Sequence, residues 1–125
     1  MPDRKQTIQG QDALLITGGQ QLRIGGASDT RIGSQLTLSV GGSQAVRIEG
    51  QARTVVGQDL HLEARSVTVQ ATERLELRCG AARIVLHHDG RIEILGQDVT
   101  LEAQGRLDVK GRADTVIVGR KVDAG

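Results

Sequence analysis

The chain has 125 residues, with 16 Lys and Arg against 15 Asp and Glu, and contains no Phe, Tyr or Trp. A near-neutral balance without long charge blocks excludes a phosphate-tracking surface, and the missing rings exclude base-stacking platforms, so no nucleic-acid partner is expected. One cysteine and no Asn exclude an intrachain disulfide framework and N-glycosylation, and neither an apolar run of about 18 residues nor a signal peptide is visible.

In chain order, residues 1–12 read as a lead-in that carries the one proline, Pro2. Residues 13–58 form a glycine-rich octad region. Aliphatic residues, with an occasional Thr, sit two apart as Leu14/Ile16, Leu22/Ile24, Thr30/Ile32, Leu38/Val40, Val46/Ile48 and Thr54/Val56. The first members step by eight, and Gly25, Gly33, Gly41, Gly50 and Gly57 follow the couples as corners. At such a corner a left-handed φ costs glycine nothing.

Residues 59–119 continue the pattern more loosely. The couples are Leu60/Leu62, Val67/Val69, Leu75/Leu77, Ile84/Leu86, Ile92/Ile94, Val99/Leu101, Leu107/Val109 and Val116/Val118. Residues 120–125 form a polar tail.

A spacing of two puts both members of a couple on one face of a strand. The residues between them are mostly polar, among them Arg23, Arg31, Arg47, His61, Glu76, Glu93 and Asp108, so each strand has a dry and a wet face. A helical stripe cannot be built from couples separated by six-residue gaps. Short strands with a corner every eight residues predict an all-β solenoid. Two versions compete, one chain coiled alone or three chains wound together. The missing rings favour a narrow interior shared by three copies, a homotrimeric triple-stranded intertwined β-helix or β-prism needle. Its expected trimer core is the apolar members of the couples from Leu22 to Val109.

The stretch "LRIGGASDTRIGSQLTLSVGGSQAVRIEG" resembles the valine-glycine octads of the type VI secretion spike protein VgrG and of contractile phage tail central spikes. The continuation "VTVQATERLELRCGAARIVLHHDGRIEILGQDVTLEAQGRLDVKG" is similar to the β-rich segment that follows those octads. The resemblance covers about Leu14 to Lys110. It implies a trimeric cell-puncturing needle, assembled in the cytoplasm and delivered outside or into a target cell, meeting the target membrane only by penetration. It also implies a PAAR-like tip or effector protein at the C-terminal end and a base or tube component at the N-terminal end. The family's large amino-terminal modules are not in this sequence, which reads either as a segment of a longer spike or as a small component docking on a separate base.

No catalytic centre, cofactor or metal site is expected. His88 shares the parity of Ile84 and Leu86 and is the one weak metal candidate, beside His87 and Asp89; against it, Asp89–Gly90 reads as a turn between two alternating runs. Cys79 shares the parity of Leu77 and is expected to be a small buried residue. Glu76, Glu93, Glu102 and Asp108 are explained by a solvated face, and Ser28, Ser34 and Ser43 lie in corners without a nucleophile elbow. Leu15, Val55, Val85 and Ile117 break the alternation and are candidate contacts with a base or cap. Val116, Ile117 and Val118 are the candidate tip contact. Two other functions fit the pattern: a single-chain solenoid that polymerises as a scaffold, and a trimeric fibre that binds glycans.

Overall fold

The computed structural model describes residues 3–125; Met1 and Pro2, the start of the expected lead-in, lie outside the described residues. The chain divides into two units, Met1–Val55 and Val56–Gly125.

The first unit contains no helix or strand among its described residues. Its backbone bends at residues 17–18, 25–26, 33–34, 41–42 and 49–50, an interval of eight. Six residues separate successive bends, and every described side chain in the unit is exposed. The corner glycines Gly25, Gly33, Gly41 and Gly50 sit in these bends, and Gly57 sits in the bend that opens the second unit. None of the five has the left-handed φ expected of it. A Cβ at any of them would meet no atom within 4 Å.

The second unit holds all the regular structure. Strands β1 (Arg74–Cys79), β2 (Ala82–His87) and β3 (Ile92–Leu95) form an antiparallel sheet in the order β1-β2-β3. The two-residue turn between β1 and β2 begins with Gly80 at φ +57, and Ala81 after it has no positive φ. That is the sign pattern of a type II′ turn, whose twist suits a hairpin and whose first position favours glycine. Between β2 and β3 the Arg91 N–H donates to Asp89 Oδ1 at 3.1 Å, and Gly90 takes φ +93. The carboxylate thus caps the reversal as an Asx turn does. The His87 N–H also donates to the Arg91 carbonyl at 3.0 Å.

The expected triple-stranded intertwined β-helix is not what the structure shows. Three of the fourteen couples, Leu75/Leu77, Ile84/Leu86 and Ile92/Ile94, lie in strands, and these pair antiparallel as hairpins. Among the described residues, backbone hydrogen bonds outside the strands join only residues 73 to 91. A strand needs a neighbour about 4.8 Å away to pair its N–H and C=O groups. Within one chain the octads have none, neither a winding partner nor the preceding octad.

In the single chain the couples expected to line a trimer core stand open. In the octads Leu22, Ile24, Ile32, Leu38, Val40, Val46, Ile48 and Val56 are all exposed. In the continuation Leu60, Leu62, Val67, Val69, Val99, Leu101, Leu107 and Val109 are exposed as well. So are Leu77, Ile84, Leu86, Ile92 and Ile94 within the sheet, and Leu75 is half-buried. The reason is the one that empties the ladder: a side chain is buried only by atoms packed around it, and one extended backbone brings none to these positions.

Candidate functional site

Alternation in the sheet sorts its side chains into two unlike faces. On one face, register places Leu75 against Leu86, Leu77 against Ile84 and Cys79 against Ala82, with Ile84 and Leu86 also against Ile94 and Ile92. This aliphatic face is open, with only Leu75 half-buried. Cys79, expected inside, is exposed as well. At its Cys79 end the face carries an open hollow of about 370 Å³, lined among others by Leu77, Cys79, Ala82, Ile84, Ile94 and Val99.

The other face is charged and closed. Glu76 lies opposite Val85, and Val85 lies opposite Glu93. Arg78 Nη2 approaches Glu76 Oε1 to 3.0 Å without a well-aligned hydrogen bond, and Arg74 Nη2 reaches Glu76 Oε2 at 3.4 Å. Arg83 adds a longer contact of 3.8 Å. Beneath these groups Val85 is 1 % exposed, the one buried residue of the described chain. The aliphatic stems of the surrounding charged side chains supply its cover. Its expected role as an exposed contact is therefore corrected: Val85 is the core of the sheet.

His87 Nε2 lies 3.3 Å from Glu93 Oε2, and Arg91 Nε lies 3.7 Å from Oε1. The hydrogen bond with His87, aided by the charges of Arg91 and Arg83, holds the Glu93 carboxyl below its ordinary value near 4.5 despite some desolvation. A depressed folded value means that Glu93 adds stability fully present above the ordinary value and lost as pH falls through the folded one. Acid titration of the wild type, followed by cross-strand amide signals, should therefore loosen β2–β3 below about pH 4.5. Glu93→Gln should flatten that part of the curve, and an unchanged acid transition in the variant would show that another group sets it.

The remaining site residues are exposed. Val116, Ile117 and Val118 are exposed together, Val118 at 88 %, as are Leu15 and Val55. His88 is exposed in the turn after β2, where its backbone N–H donates to the Glu73 carbonyl at 3.1 Å. No cluster of three His, Cys, Asp or Glu side chains that could hold a metal ion occurs among the described residues. No described helix is long and apolar enough to cross a membrane.

Opposite charges two residues apart recur along the chain, as Asp29–Arg31, Arg47–Glu49 and Arg106–Asp108, and His61 lies 3.4 Å from Glu63 in the same spacing. Side chains at i and i+2 share a face of an extended backbone, so these pairs mark the wet side. All are exposed, and such pairs contribute about 0–1 kcal/mol.

Among known proteins, no family model matches the chain, and no curated protein matches it.

Proposed function

We propose that the chain is a structural segment of a puncturing spike in a contractile injection machine, working as a homotrimer. In this reading a tip or effector protein sits at its C-terminal end and a base or tube component at its N-terminal end. The observation that carries the self-association is area. The single chain exposes 14,419 Å², whereas a folded monomer of this length exposes about 6,500 Å². Along the chain the aliphatic couples are exposed at regular intervals, which marks an interaction surface rather than scattered residues. The spike assignment rests on the octads and their continuation, and the count of three on the absence of aromatic rings among the exposed couples.

The corner glycines add support. Their own chain leaves room for a Cβ at each corner, so the demand for glycine is best met by a neighbouring copy. Sedimentation equilibrium should give three times the 13.3 kDa chain mass. A single-chain mass at all concentrations contradicts the proposal, and a mass that grows without limit indicates an open-ended scaffold instead. Gly41→Ala should leave an isolated chain unaffected and weaken the assembled state, read as a lower midpoint of thermal dissociation. An unshifted midpoint would remove the glycine argument.

A further inference from the structure

The octads are exposed throughout but carry little information about register. From Leu14 to Thr54 the first members of the couples recur every eight residues, and the bends keep the same interval. Sliding one copy past another by eight residues sets couple upon couple again and forfeits only the pairs at the ends. Glycine-rich, repetitive segments of this kind are weakly registered.

Residues 74–95 differ in kind. Their three-stranded sheet occurs once in the chain and is folded within a single copy. Its charged face is closed by ion pairs, while its aliphatic face is open. A copy displaced by an octad finds no second sheet to meet.

Resting on the reading that copies associate, we propose that the open face formed by Leu75, Leu77, Ile84, Leu86, Ile92 and Ile94 docks against the same face of further copies. This docking fixes the register in which the octads then close. The occupant is a second copy for two reasons. The couples that make this face repeat in sequence the same two-apart aliphatic pattern as the octads, so the face is built of the same kind of surface that a copy of the chain presents. The chain also exposes more than twice the surface of a folded monomer, which a small unlike partner on one sheet cannot cover. The hollow beside Cys79 gives the aliphatic side chains of a neighbour a place to enter. Six such side chains fall short of a standard interface of about 800 Å² per partner, so the sheet supplies alignment and the octads supply affinity.

Cys79, the only cysteine, lies on this face and reports alignment without an added label. Copper(II)–phenanthroline is the oxidant: each of two thiols gives one electron to a Cu(II), reducing it to Cu(I), and one proton to the buffer, and the S–S bond forms only where two Cys79 side chains meet. Assembled wild type should cross-link into covalent dimers. Pulse-labelled hydrogen exchange during refolding should protect amides of 74–95 first, at a rate independent of concentration, and those of 14–58 later. Leu77→Thr and Ile94→Thr keep strand propensity, so the hairpins still form. Each should cut the cross-link yield at least tenfold and slow assembly.

Three results would overturn the register proposal while leaving the association standing: an assembled wild type without Cys79 cross-links, octad amides protected first, or Thr variants that cross-link like wild type. A wild type that stays single-chain overturns both, and its mass alone tells that case apart.

Discussion

Val85→Asp should abolish the three-stranded sheet. The new carboxylate would occupy the one buried position of the described chain, opposite Glu76 on one side and Glu93 on the other. Burying an unpaired charge costs several kcal/mol, and two like charges across the strands add to it. A sheet of three short strands has at most a few kcal/mol in hand. Loss should therefore be complete, seen as disappearance of cross-strand contacts between β1, β2 and β3 in solution spectra. Val85→Ile, which keeps an apolar branched side chain, should retain them. Persistence of the sheet in the Asp variant would mean that the charged face does not cover this position.

On the reading that copies associate through the couples, Val40→Asp should keep the chain from assembling at micromolar concentration. In the single chain Val40 is exposed, so an Asp there costs the isolated copy little. In the associated state each copy would bring a carboxylate into an apolar interior, with no basic partner among the couples. About 4 kcal/mol of lost association free energy, a conservative share of that penalty, lowers the association constant by roughly a thousandfold. Sedimentation of the variant beside wild type measures it directly. Equal masses would show that Val40 faces outward when copies meet.

Much of the sheet was legible in the sequence, and the rest failed for definable reasons. Alternation assigned Leu75, Leu77, Ile84, Leu86, Ile92 and Ile94 to one face, and Asp89–Gly90 to a reversal, because both signals are local. Val85 was misjudged because its burial depends on pairing. Only the hairpin register sets it between Glu76 and Glu93, and parity alone treats every residue on that face as wet. The Gly80–Ala81 turn carries no distinguishing signal, since a glycine after a couple looks the same whether the chain bends onward or folds back.

The octads taught the opposite lesson. Their period of eight reappears as bends every eight residues, yet the strands expected between them are absent. Periodicity specifies which side chains share a face, as it does for Ile24, Ile32 and Ile48, whereas a ladder and a core also require a neighbouring backbone. A single copy offers none at residues 14–58, and the same lack explains why the corner glycines adopt ordinary φ angles.

Translation delivers residues 14–58 before residues 74–95. At about 5–20 residues per second, the unpaired stretch precedes the hairpins by a few seconds. During that interval a nascent chain presents naked peptide groups and aliphatic side chains to proteases and to neighbouring ribosomes on the same message. Quality control in the cell would thus act most severely on this stretch, and, on the reading that copies associate, expression yield should depend more on how quickly sister polypeptides meet than on the folding of any one of them.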